Sequence, residues 1–239
     1  MVRAAWREPG CTFIDTPRLA QVVTPSIRFP YANAVYRFVG DAEELAQVLA
    51  PYRAHGLPFR FLVTPSSEPR DLGQRLEGHG LVLTTELAAM WAPSDLSILS
   101  MGASVEVEPL TADTVDEYVA TSAAGWSMTD AQAANVRRSV ERDLGAGTYR
   151  AFLARVDSAA AGVALLRMYD GFGYLQGSAV RPEKRGRGVY RALVAHRLRV
   201  LRDAGIGVGL IHARTTTAAP ICARLGFHTE FQSLQYDQA

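Results

Sequence analysis

The sequence predicts an α/β fold made in two halves, and three observations carry this. Short alternating stretches such as NAVYRFV and VEVEPL recur along the chain, with the two-residue period of strands. Stretches with helical apolar spacing lie between them, as in DAEELAQVLAPYRAHG. Two segments, RLEGHGLVLTTELAAMWA and CARLGFHTEFQSLQYDQA, both run helix, glycine, apolar residue, polar strand and aromatic end. One half therefore reads as a weak copy of the other.

Residues 1–30 show no clear period. NAVYRFV then reads as a strand, and DAEELAQVLAPYRAHG as a helix capped by Asp41, with Leu45, Val48 and Leu49 as its apolar stripe. PFRFLVTP is a further strand, PRDLGQRLEGHGL a short helix ending at glycine, and LVLTTELAAMWA a strand or strand pair. PSDLSILSMGAS breaks the periodicity, which places a linker at about residues 93–104. VEVEPL opens the second half as a strand, followed by a helix with Thr111 as its cap and a further helix capped at Thr129 or Asp130. YRAFLARV, the turn residues DSAA and AGVALLRMYD read as a hairpin. GFGYLQGSAV is the next strand, then come a glycine loop and a long helix over about 188–204. GVGLIHA is a buried strand, APICARLGF a short helix broken at Gly226, and HTEFQSLQYD a closing strand.

The 239 residues are 48% hydrophobic and 21% charged, which suits a folded core and excludes general disorder. The formal net charge is +1, from 25 basic and 24 acidic residues. A nucleic-acid or membrane-surface binder carries a large basic excess, so neither class of partner is expected. Cys11 and Cys222, far apart in sequence, give neither a disulfide framework nor a zinc spacing, and no metal is expected. No stretch approaches the run of about 18 apolar residues that marks a membrane helix. MVRAAWREPGCTFID lacks the apolar run of a signal peptide. The chain is expected to be soluble and cytoplasmic.

The loop RPEKRGRGVYRALV carries the chemistry. A helix start exposes backbone N–H groups without internal partners, and the helix dipole adds partial positive charge there, so anions bind readily. Gly186 and Gly188 let main chain approach a phosphate, and Arg181, Lys184, Arg185 and Arg187 add charged donors. Pro182 ends the preceding strand near Val180. The pattern is neither a Walker loop nor a dinucleotide-binding G-x-G-x-x-G.

VRPEKRGRGVYRAL resembles the acyl-CoA pyrophosphate motif of the GNAT superfamily of N-acetyltransferases, R/Q-x-x-G-x-G/A. Arg185, Gly186, Arg187, Gly188, Val189 and Tyr190 occupy its six positions, with Tyr190 where the family has glycine or alanine. The strand before it, the apolar helix after it and ARLGF near the C-terminus also match, so the resemblance spans about 105–239. It implies two GNAT-like lobes, each a mixed, mostly antiparallel sheet flanked by helices. Residues 1–97 would be a degenerate lobe and 105–239 the N-acetyltransferase domain with the acyl-CoA site. The resemblance assigns the pantetheine arm and thioester carbonyl to Ser178, Ala179 and Val180, where Gly177 and Gly173 would ease a bulge, and offers a further CoA contact at Thr215, against the preferred reading that one of Thr215, Thr216 and Thr217 caps the last helix. It implies acetyl-CoA or another acyl-CoA as co-substrate, and a small-molecule or peptide amine as acceptor.

Two catalytic positions depart from the family. The tyrosine that often serves as general acid is Cys222 here, and a cysteine at such a place is more often inert packing than a proton donor. The strand that often carries a basic glutamate has Gln176, which cannot act as a base. His212 and Glu183 are the candidates in its stead, with His212 also readable as a structural histidine. Trp126 is a candidate for the acceptor pocket or for the core, and Asp116 and Glu117 read as solvated. The expected activity is transfer of an acetyl or other short acyl group from CoA to a primary amine by direct attack. The rival is a non-catalytic acyl-CoA sensor.

Overall fold

The computed structural model describes residues 10–98, 105–144 and 149–238. The chain forms two compact units that a single cut at the linker does not separate. The first holds Met1–Ala89, Ala213–Ala219 and Glu230–Ala239, and the second Met90–His212 and Pro220–Thr229. The reason is a pairing the sequence does not announce. The closing strand β11 (His228–Gln238) runs antiparallel to β4 (Arg60–Val63), with Leu234 opposite Val63 and Tyr236 opposite Phe61. Most of β11 thus completes the first unit's sheet, and of the predicted linker, residues 99–104 lie outside the described residues.

In the first unit, β1 (Thr12–Asp15) and β2 (Leu19–Val23) form an antiparallel hairpin. The absence of period over residues 1–30 hid both strands. β2 is buried at four successive positions, so no alternation marks it. β3 (Ala34–Phe38) pairs antiparallel with β2 and parallel with β4, and α1 (Ala42–Ala54) makes the crossover. The short helix α2 (Leu72–Gly78) leads through Gly80, at φ 83°, into the long strand β5 (Leu81–Pro93). Leu45, Leu49, Tyr52, Phe59, Phe61, Leu72 and Leu76 pack as its core.

The second part of the chain repeats the order of three strands, helix, strand, short helix and long strand, with a strand and two α-helices placed ahead of it. β6 (Val105–Pro109) is followed by a 3₁₀ turn capped by Thr111, then by α3 (Val115–Trp126) and α4 (Asp130–Asp143). Thr129 caps α4 in a reciprocal capping box with Gln132. β7 (Tyr149–Val156) and β8 (Ala159–Tyr169) form the predicted hairpin, turning at Asp157 and Ser158, both at positive φ. β9 (Phe172–Val180) is antiparallel to β8 and parallel to β10 (Val208–Arg214), with α5 (Val189–Asp203) as crossover. The last helix α6 (Ala218–Arg224) reaches β11 through Gly226, at φ 98°. Each unit is therefore a mixed, mostly antiparallel sheet with one parallel βαβ crossover, followed by a short helix, a left-handed glycine and a long strand.

Tyr118, Val119, Leu153, Val163 and Ala179 pack together on the face that α3 and α4 cover. On the other face, Val189 and Leu193 of α5 fill the space that a side chain at Gly162 would need.

Candidate active site

The glycine loop stands at the mouth of α5 as expected. β9 ends at Val180, a 3₁₀ turn spans Pro182–Lys184, and α5 starts at Val189 with Gly188 as its N-cap. Gly186 and Gly188 sit at φ 75° and 79°, in the left-handed region that glycine enters without strain. No side chain caps α5, and its first internal bond runs from the Ala192 N–H to the Gly188 carbonyl. The amides of Gly188, Val189 and Tyr190 have no acceptor among the described residues, so an anion can take them. Nothing lies near the position that a side chain on Gly186 would occupy, and Arg185, Gly186 and Arg187 are exposed.

The corresponding place in the first unit is closed. Between β3 and α1, the Asp41 carboxylate accepts from the Glu44 N–H, and the Glu44 carboxylate accepts from the Asp41 N–H, both at 2.9 Å. A side chain at Gly40 would meet Glu44 Oε2 at 2.7 Å. Two carboxylates occupy the helix start where a phosphate would go, which repels any anion.

The arginines of the open loop are partly committed. Arg187 pairs with Asp157 at 2.9 Å, Arg181 with Glu183 at 2.9 Å, and Arg185 donates to the Gly125 carbonyl at the end of α3, 3.4 Å away. That leaves the main-chain amides as the freer donors of the loop, with the guanidinium groups at its rim.

The strand before the loop bulges. Val163 faces Ala179 and Leu165 faces Gln176, so β9 has one residue more than β8 across this interval, and Gly177 takes φ 55° to absorb it. β9 pairs with β10 at Gly173–Gly209 and Tyr174–Leu210, where the recorded parallel register stops. Beyond it, Ser178, Ala179 and Val180 lead to the loop. The Ser178 hydroxyl is buried and without a partner among the described residues. A side chain at Gly125 would meet Ala179 Cβ at 2.7 Å, so α3 lies directly on this stretch. Val189, buried, locks the first turn of α5 beneath β8.

The other candidates fall as follows. His212 lies on β10 two residues past the last recorded pair with β9, and its Nδ1 is 3.2 Å from the Tyr174 hydroxyl. Burial lowers its pKa, which keeps the imidazole neutral and able to take a proton. Gln176 accepts from Arg167 at 3.0 Å. Glu183 is exposed, and its own backbone amide, then Arg181, hold its carboxyl below the usual range, which makes it a weak base. Cys222 is fully buried, and its thiol is pushed up by desolvation. Thr215 does not cap α6; its amide and hydroxyl both donate to the Glu86 carbonyl. Trp126 is 40% exposed, and its ring lies 3.7 Å from the Cβ position of Gly177, so it borders the bulge and is not core. Asp116 and Glu117 are not merely solvated, since they pair with Arg137 and Arg155.

Three features escaped the sequence reading. Tyr190, which departs from the motif, sends its hydroxyl to within 3.5 Å of Cys222 Sγ. Tyr174 partners His212. Arg197 is fully buried on α5. The signal for the last was a basic residue inside the apolar stripe Leu193, Val194, Leu198 and Leu201.

Residues 113–227 match the Acetyltransferase (GNAT) family. The chain carries a GNAT domain. The glycine loop, the bulged β9 and α5 all lie inside the matched region, and α6 closes it. Solved structures similar to the chain extend the fold beyond this domain. A functionally unknown conserved protein from Staphylococcus epidermidis aligns with a TM-score of 0.76 at 15% identity, over 96% of this chain and 94% of that one. A GCN5-related N-acetyltransferase from Kribbella flavida aligns at 0.70 and 14% identity, over 95% and 89%. A tandem GNAT protein from the clavulanic acid biosynthesis pathway aligns at 0.63 and 15% identity, over 97% and 84%. No curated protein matches the chain. The fold is thus GNAT-like over nearly all its length, and the match of residues 113–227 to an acetyltransferase family supports acyl transfer at the family level. Among the described residues no cluster of His, Cys, Asp or Glu could hold a metal ion, and no helix is long and apolar enough to cross a membrane.

Proposed function

We propose that the protein transfers an acetyl or other short acyl group from acyl-CoA to the primary amine of a small molecule or peptide, by direct attack in a ternary complex. The observation that carries this reading is the uncapped start of α5, with left-handed Gly186 and Gly188, directly after a strand that bulges at Gly177. The thioester supplies the acyl group. The amides of Gly188, Val189 and Tyr190 hold the diphosphate, with Arg185, Gly186 and Arg187 around it. Ser178, Ala179 and Val180 line the arm, and their main chain offers donors to the carbonyl oxygen as it gains charge. His212, neutral and oriented by Tyr174, takes the proton of the attacking amine. Trp126 borders the acceptor. Residues 1–97 act without CoA chemistry, because Asp41 and Glu44 fill the one helix start that corresponds to the loop. Both cysteines are free, which suits a reducing cytoplasm.

A thiol-release assay with acetyl-CoA across a panel of amines tests the reading. Turnover with at least one amine is expected. The rival, a non-catalytic acyl-CoA sensor, draws support from Gln176, an amide already engaged by Arg167 where a carboxylate would serve as base. Thermal stabilisation by acetyl-CoA with no turnover on any amine would favour that rival.

A further inference from the structure

Among the described residues, the largest fully buried side chain is Arg197, in the middle of α5. Among the described residues no carboxylate pairs with it. The groups nearest in charge are Tyr190, Cys222 and Tyr118, all neutral at physiological pH. A buried guanidinium without a counter-ion is costly unless its protons find acceptors. Its Nε donates to the Leu193 carbonyl of its own helix, 3.0 Å away. Its Nη1 leaves the helix and donates to two carbonyls of the sheet, Leu165 at 3.0 Å and Gln176 at 3.3 Å. Its Nη2 has no partner among the described residues.

Those two carbonyls are the informative part. Leu165 and Gln176 face each other across β8 and β9, and they are the last pair in register before the strands slip. The next residue of β9 is Gly177, in the left-handed region, and the slip ends at the Val163–Ala179 pair. One guanidinium edge therefore grips both strands at the near edge of the bulge. A bulge left to itself loses ladder bonds and can slide along its strand. A cation fixed by its own helix, reaching to carbonyls on both strands, removes that freedom.

We propose that Arg197 is a positioning residue: it pins the register slip between β8 and β9, and so sets Gly177, Ser178, Ala179 and Val180 for the acyl arm of the co-substrate. The assignment rests on the acyl-CoA reading above for the identity of that arm. The pinning itself rests only on the bonds and the register. Arg197 touches no reacting atom, and its effect passes through the main chain of β9.

The test uses the full-length protein with Arg197→Met, and with Arg197→Lys as the conservative variant. Hydrogen exchange without ligand reads the pinning directly. Faster exchange confined to Gly177–Val180 is expected in Arg197→Met, with partial recovery in Arg197→Lys. Exchange unchanged there, or raised evenly over the whole GNAT domain, overturns the pinning. Calorimetry reads the consequence with two probes, acetyl-CoA and adenosine 3′,5′-bisphosphate, which has phosphates but no arm. Arg197→Met should weaken acetyl-CoA by about tenfold or more and leave the bisphosphate unchanged. Equal loss of both probes would make Arg197 a general prop of the fold and overturn the proposal. If the native protein binds neither probe, the acyl-CoA reading fails, while the exchange result still decides the pinning. Should Arg197→Met not fold, the same comparisons on Arg197→Lys decide it.

Discussion

The hydroxyl of Tyr190, at the mouth of α5, lies 3.5 Å from the Sγ of Cys222 on α6. The contact joins two of the three positions at which the GNAT domain departs from its family's pattern, Gln176 being the third. Burial raises the pKa of both groups, so both stay protonated at neutral pH. A thiol that is fully buried and partnered by a hydroxyl is a packing group with one weak hydrogen bond. Cys222→Ala is therefore expected to slow acyl transfer by less than about tenfold, below the usual range for loss of a general acid. Its main cost is the small cavity, about 1 kcal/mol, seen as a lower melting temperature. Steady-state kinetics with intact circular dichroism checks this, and a hundredfold loss of kcat would make Cys222 the proton donor.

Gly188→Asp should abolish acyl-CoA binding and leave the fold largely intact. The substitution puts a carboxylate at the amides where the diphosphate is proposed to sit, as Asp41 does at the start of α1. It also forces a residue with a Cβ to φ 79°, a strain that aspartate bears better than most residues. Calorimetry with acetyl-CoA is the measurement, and native-like affinity would remove the loop from the site.

The acid limb of the kcat profile is expected to lie below the ordinary histidine range. His212 must be neutral to accept a proton, and burial lowers its pKa, so activity persists until pH falls through that lowered value. His212→Asn should cost about a hundredfold in kcat and abolish this limb. The same shift predicts a stability effect. A histidine with a lower pKa folded than unfolded binds its proton more readily when unfolded, so its contribution is present above the unfolded value and lost as pH falls through the folded one. His196, lowered by burial beside Phe152, adds to this in the same direction. Thermal melts of native protein and His212→Asn between pH 7 and pH 5 check the sign.

Gly125→Ala should destabilise the GNAT domain although it lies in a helix. Alanine in place of a helical glycine ordinarily gains about 1 kcal/mol. Here the new Cβ would meet Ala179 Cβ at 2.7 Å and the Val180 nitrogen at 3.4 Å, so α3 must lift from β9, at a cost of about 1–3 kcal/mol. The stretch displaced is the one assigned to the acyl arm, so KM for acetyl-CoA should rise more than KM for the amine. A melting temperature at or above the native value would count against the close packing.

Much of the site was legible because its chemistry is local. Glycines at 186 and 188, a proline ending the strand and an apolar stripe starting at Val189 fix the loop within a few residues, and β9, α5, β10 and α6 fell where the pattern put them. The caps at Asp41 and Thr129 were readable for the same reason. What escaped depends on partners distant in sequence. β2 carries no alternation because it is buried at successive positions. Thr215 sits at the expected place before α6, yet Glu86 of β5 decides its bonds. Arg197 received no reading from the sequence, and the carbonyls that accept from it include Leu165 and Gln176 on two strands distant in sequence.

The pairing of Leu234 with Val63 and of Tyr236 with Phe61 also bears on how the protein is made. On the ribosome, β1 to β4 emerge long before the strand that closes their sheet, and nearly all of the GNAT domain is synthesised in between. Until β11 arrives, β4 presents an open edge of backbone donors and acceptors, the kind of surface on which nascent chains associate. A gene fragment starting at residue 105 would carry β11 without β4, and one stopping at residue 97 would leave β4 without β11, so neither half is a natural unit for separate expression.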